Sequence, residues 1–246
     1  MVTRPILRYH GGKWKLAPWI IANMPSHRVY VEPFGGGGSV LLRKQRSYAE
    51  VYNDKWDMVV NVFRVLRDRE SAEELARLLT LTPFSRVEFE GCGDVDIEAI
   101  SDPIERARRT IFRSQAGFGS AASNARYSTG FRSNSNRSGT TPAQDWINYP
   151  AHVRTYVERL SGVIIEHRDA AGVMRQHDGE QTLHFVDPPY VHDTRNMQHA
   201  AYAHELTDQD HVALAAALHG LSGMVLLAGY PSALYEELYR LDASRL

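Results

Sequence analysis

Apolar positions along this chain follow two periods. Short runs, partly β-branched and closed by Pro or Gly, read as buried strands: Arg28–Glu32, Ala49–Tyr52, Gly162–Glu166, Thr182–Val186 and Gly223–Ala228. Between them the apolar residues recur at helical spacing. Leu16, Ile20 and Met24 share a face, with Pro18 tolerable only in a first turn. Trp56, Val59, Val60, Phe63 and Leu66 mark a second helix, and Val153, Tyr156, Val157 and Leu160 another. Ala170–Gln176, a Thr207-capped stretch through Leu218 and Ser232–Tyr239 complete the pattern. Five strands alternating with helices predict an open α/β sheet of Rossmann-like type, with ligand sites at the carboxyl ends of its strands.

Residues 68–150 break the alternation and are expected to form an inserted, mainly helical domain; 1–67 and 151–246 would form the sheet domain. Ser71–Leu81 has helical spacing, and Gly91–Asp94 reads as a turn. Asp102-Pro103-Ile104-Glu105 combines an N-cap, a proline at the first helical position and an acid placed for a capping box. On the helix that follows, Arg106, Arg109 and Arg113 fall on one face and Ile104, Ala107 and Ile111 on another.

Composition narrows the class. The chain has 246 residues, 43% hydrophobic and 23% charged, which is ordinary for a globular protein. One cysteine, Cys92, excludes an internal disulfide and fits a reducing compartment. No run reaches membrane-spanning length and no signal-peptide core is present, so a cytoplasmic protein is expected. The net charge of −1 argues against nucleic acid, but its distribution does not. Between Arg106 and Gln144 stand seven arginines and no acid, leaving −8 for the remainder. Arg106, Arg109, Arg113, Arg126, Arg132 and Arg137, with Phe118, Tyr127 and Phe131 interleaved, are candidates for tracking nucleic-acid phosphates and reaching base edges. A disordered linker is the competing reading of Gly117–Thr141.

Five stretches carry candidate chemistry. The strand Thr182–Val186 stops at Asp187-Pro188-Pro189-Tyr190. The two prolines hold the backbone extended and remove donors. A carboxylate, a carbonyl fixed in direction and an aromatic ring remain, which suits a planar ring bearing an exocyclic NH2. Pro33-Phe34 and Gly35–Gly38 then make a strand–glycine–helix turn of nucleotide-binding type, though neither a dinucleotide fingerprint nor a P-loop. Asp54, about 20 residues beyond Glu32, stands where an acid receives ribose hydroxyls, or else caps the next helix. Tyr9–Lys15 forms a glycine-containing loop with an aromatic and a cation, and the polar stretch Val191–His204 reads as a lid.

These motifs, in this order, resemble those of the Dam-like adenine-N6 site-specific DNA methyltransferases. Tyr9-His-Gly-Gly-Lys13, Val31-Glu-Pro-Phe-Gly-Gly-Gly-Gly-Ser39, Asn53-Asp54 and Asp187-Pro-Pro-Tyr190 carry the likeness, which extends over essentially the whole chain. It implies S-adenosylmethionine as methyl donor, S-adenosylhomocysteine as product, no metal, and double-stranded DNA as partner. Tyr9, Gly11, Lys13, Glu32, Phe34, Gly35, Gly36 and Asp54 would bind the donor, with Asp169 reaching its adenine amino group. Asp187, Pro188, Pro189 and Tyr190 would be catalytic. Relatives usually add a strand pair after the fifth strand. Its apparent lack here predicts an exposed edge, hence a monomer or weak dimer, or a partner over that edge. The rival readings are transfer to RNA, cytosine N4 or a protein amide, and a catalytically silent DNA-binding relative.

Overall fold

The computed structural model describes residues 2–93, 96–119, 129–133, 139–194 and 204–240. Its first half runs α1 (Ala17–Ala22), β1 (Val29–Glu32), α2 (Ser39–Arg43), β2 (Ala49–Asn53), α3 (Asp57–Arg67), α4 (Arg69–Leu81), α5 (Arg86–Gly91) and α6 (Pro103–Ala116). The second half adds α7 (Pro142–Ile147), α8 (Val153–Leu160), β3 (Val163–Glu166), α9 (Ala170–Gln176), β4 (Thr182–Val186), α10 (Asp208–His219), β5 (Met224–Leu227) and α11 (Ala233–Leu238). The expected strands are all present, each within a residue or two of its expected ends.

They form one parallel sheet in the order β3-β2-β1-β4-β5. The chain leaves β1 toward β2 on one side and leaves β4 toward β5 on the other. Between β1 and β4 the connections therefore diverge, opening a crevice above the strand ends where nothing crosses the sheet. Val31 pairs with His184, so the glycine turn after Glu32 and the prolines after Val186 emerge side by side. β4, buried at every position, is an interior strand, as its short and mostly apolar run predicts. β3 and β5 are the edges.

The 68–150 stretch supplies a layer of helices on one face. α6 packs against α3, α4, α5 and α7, and its Ile111 and Phe112 join Phe63, Leu66, Leu75 and Tyr156 in one buried cluster. Asp102 caps α6 by accepting from the Ile104 N–H at 2.9 Å, as its position predicts. The second half of the expected capping box does not form. Glu105 turns away to Arg108 and Arg109, each at 2.6 Å, because two guanidinium groups outbid one backbone N–H for a carboxylate. α10 does carry a complete box, Thr207 with Asp210. Among the described residues, no helix is long and apolar enough to cross a membrane.

Candidate active site

The crevice between β1 and β4 is a cleft of about 780 Å³, including its open mouth. The glycine turn, the Tyr9–Lys13 loop, Asp54 and the Asp187 motif all face it. The tetraglycine bend and the two-proline strand end thus share one cavity.

Packing by the protein itself explains much of the glycine content. A Cβ on Gly35 would come within 2.2 Å of the Tyr52 ring. Gly36, with φ +47°, leaves no room beside the ring of Tyr9, and Gly38, with φ +61°, none beside Phe63. Tyr52 is stacked on Phe63 at 4.0 Å and donates its hydroxyl to the Gly36 carbonyl at 2.7 Å. Distant aromatic rings hold the turn open and set its backbone at the cleft wall.

Asp54 closes the turn from the other side. Its Oδ2 accepts from Gly36 N at 2.7 Å and its Oδ1 from Trp56 N at 2.8 Å. Burial raises its pKa, against those N–H groups. It is not the side-chain cap of α3, whose N-cap residue is Trp56. A carboxylate can accept more bonds than these backbone N–H groups supply. Glu32 ends β1 fully buried, accepting from Tyr30 Oη at 2.8 Å and Leu41 N at 3.0 Å. Burial pushes its pKa up to about 8, so it is largely a neutral acid.

Across the cleft, Asp187 has a side chain only 15% exposed. Its Oδ2 accepts from Lys13 Nζ at 2.6 Å, while Oδ1 is buried with no hydrogen-bond partner. Burial raises its pKa; the Lys13 ammonium and the Tyr190 hydroxyl pull it back down. Lys13 Nζ also lies over the Tyr190 ring, 5.0 Å from its centroid. Tyr230, just past β5, meets Tyr190 edge to face at 5.0 Å. Pro188 is buried and Pro189 faces the cleft.

Several expected site residues fall elsewhere. Asp169 is exposed and caps α9, accepting from Gly172 N at 2.9 Å. The arginines of α6 do not form an open row. Arg106 pairs with Asp57 at 2.9 Å, Arg109 with Glu105 at 2.6 Å, and Arg113 is buried beside Phe89. Helical spacing gave them a common face, but α6 is packed on several sides, so that face meets protein. Arg132 follows the Gly117–Phe131 bridge and lies 3.7 Å from Asp145. Arg126, Arg137 and Tyr127 lie outside the described residues, as does most of the lid stretch.

Residues not singled out for the site also face it. Trp56 was legible only as part of a helix face, yet it lines the cleft. Tyr230 does not line it but backs the ring of Tyr190, and its place just after the fifth strand was the signal that could have found it.

A family described as D12 class N6 adenine-specific DNA methyltransferase matches residues 9–240. No curated protein matches the chain.

Proposed function

The chain belongs to the D12 class N6 adenine-specific DNA methyltransferase family, and from that premise we propose how its cleft holds donor and target. The enzyme transfers a methyl group to the N6 amino group of adenine in DNA.

In this reading the donor is S-adenosylmethionine, which supplies an electrophilic methyl group on a sulfonium sulfur and leaves as S-adenosylhomocysteine. The donor set beside the glycine turn suits it. Asp54 can accept from a ribose hydroxyl, Phe34 and Tyr9 offer ring surface, and the Gly11, Gly35 and Gly36 backbone borders the same space. Glu32 lies at the cleft floor beneath them.

The unpartnered Asp187 Oδ1 is the observation that carries the target assignment. A buried acceptor without a donor costs about 1–3 kcal/mol, a cost removed when a ligand N–H arrives. An adenine amino group is a poor nucleophile because its lone pair is delocalised into the ring. Accepting one N–H at Asp187 and the other at the Pro188 carbonyl favours pyramidalisation and aims the lone pair across the cleft. The carboxylate stabilises the charge that develops on nitrogen. Tyr190 stacks on the ring, worth ~1–3 kcal/mol and offsetting part of the cost of flipping the base from a duplex.

Residues 68–150 are the DNA-recognition segment in this account. A DNA substrate and a single cysteine fit a cytoplasmic enzyme. The test is to incubate the protein with labelled donor and duplex DNA, digest, and identify the labelled nucleoside. N6-methyladenine, lost with Asp187→Ala, is the expected result. Label confined to RNA, cytosine or protein would refute it.

A further inference from the structure

The loop Tyr9–Lys13 is built to deliver one atom. Gly11 holds φ +71°, a conformation that favours glycine. Gly12 N donates to the Tyr9 carbonyl at 3.1 Å, and a Cβ on Gly12 would sit 3.0 Å from that same oxygen. The tight turn ends at Lys13, whose carbonyl accepts from Ala17 N at 2.7 Å as α1 begins. The side chain then reaches across the cleft. Nζ donates to the Gly11 carbonyl at 2.7 Å and to Asp187 Oδ2 at 2.6 Å, with only 10% of the side chain exposed.

We propose that Lys13 is a positioning residue for Asp187: it holds Oδ2, so that Oδ1 alone is presented as the acceptor for the target amino group. This rests on the role given to Asp187 above and changes the role of Lys13, which the motif likeness assigns to the donor. The logic is electrostatic. A carboxylate as enclosed as Asp187 loses hydration, which favours its neutral acid. The neutral acid is a weaker acceptor and does not stabilise positive charge on nitrogen. A cation at 2.6 Å favours the charged form, and by engaging one oxygen it also fixes the rotation of the carboxylate. Gly11 and Gly12 are then explained by the turn that brings the ammonium to that oxygen.

The other groups that face Asp187 do not replace Lys13. Glu32 from β1 is a like charge when ionised and works against it. Tyr190 in the same loop can donate a hydrogen bond but carries no positive charge. Tyr235 from α11 is a phenol whose own ionisation Asp187 opposes. His10 and His204 line the same cleft. Among the described residues, Lys13 makes the ion pair with Asp187.

The experiment compares Lys13→Met, Lys13→Gln and Lys13→Arg with the unmutated enzyme. The titration of Asp187 is followed by NMR of the labelled carboxyl carbon, assigned with Asp187→Asn. S-adenosylhomocysteine affinity is measured by calorimetry, and kcat for DNA methylation is measured against pH. The proposal expects Asp187 to titrate about one to three pH units higher in Lys13→Met and Lys13→Gln. The acid limb of kcat should move up with it, Lys13→Arg should restore both, and S-adenosylhomocysteine affinity should stay within roughly threefold. An unmoved Asp187 titration overturns the proposal, as does loss of S-adenosylhomocysteine affinity with an unchanged acid limb, which would make Lys13 a donor ligand. If Lys13→Met and Lys13→Gln both unfold the chain, Lys13→Arg decides: an Asp187 titration and acid limb kept at the unmutated position support the proposal, and a position that no longer follows the retained cation overturns it. Failure of the unmutated enzyme to methylate DNA would instead sink the reading of Asp187, and the carboxyl titration would still decide the Lys13 pairing.

Discussion

The α-carbon of Gly35 lies against the ring of Tyr52 so closely that a methyl group there would approach it to 2.2 Å. The ring cannot yield, since it is stacked on Phe63 and tied by its hydroxyl to Gly36. Gly35→Ala is therefore expected to cost about 1–3 kcal/mol through overpacking. In a protein of this size that lowers Tm by roughly 2–12 °C. Thermal unfolding checks it. A stability equal to the unmutated chain would mean the turn is looser than its packing implies.

Glu32 should give stability a pH dependence of defined sign. Its folded pKa of about 8 stands above the ordinary value of 4.5, so the fold prefers the protonated acid. Its contribution is fully present below about pH 4.5 and is lost as pH rises through about 8. Glu32→Gln keeps the shape without the ionisation. The variant should match the unmutated chain near pH 5 and exceed it in Tm near pH 9. The Tm difference across that range is the measurement, and a difference that is flat or reversed contradicts the assignment.

The arginines of α6 should report on folding rather than on DNA. Arg108 bonds Glu105 at 2.6 Å and Glu88 at 2.7 Å with a side chain only 10% exposed. Arg108→Ala leaves two carboxylates facing each other and should cost about 2 kcal/mol, below the value for a fully buried pair because both acids reach solvent. Arg113→Ala should lower Tm while leaving the salt dependence of DNA binding unchanged. A slope of log K against log salt that falls by about one would return Arg113 to the phosphate contacts.

Asp54 ties the glycine turn to the start of α3 and faces the donor side of the cleft. Asp54→Ala is expected to weaken S-adenosylhomocysteine binding about tenfold or more, the worth of a charge-assisted hydrogen bond. Calorimetry decides it. Unchanged affinity would leave Asp54 with a purely structural role.

How much of this was readable from residues alone depended on whether the deciding forces were local. β4 and the place of Asp187 were legible because β-branched residues and two prolines act where they stand. The Asp102 cap and the Thr207 box were legible for the same reason. The reason for the glycines was not, because the rings of Tyr9, Tyr52 and Phe63 that demand them reach the turn only in the fold. Periodicity grouped Arg106, Arg109 and Arg113 but could not tell that a helix with packed neighbours turns even its charged face inward. Asp169 illustrates a third limit: an acid just after a strand is equally placed to cap a helix or to reach a ligand, and here it caps α9.

The central claim is that Asp187 accepts the target amino group while the donor is held elsewhere in the cleft. Single-turnover methyl transfer by Asp187→Asn, measured beside its S-adenosylhomocysteine affinity, tests this most directly. The account predicts a transfer rate lower by roughly 100- to 1000-fold, as for loss of one transition-state contact, with affinity within about threefold of the unmutated enzyme. A rate that survives the substitution, or one that falls only because the donor no longer binds, would contradict it.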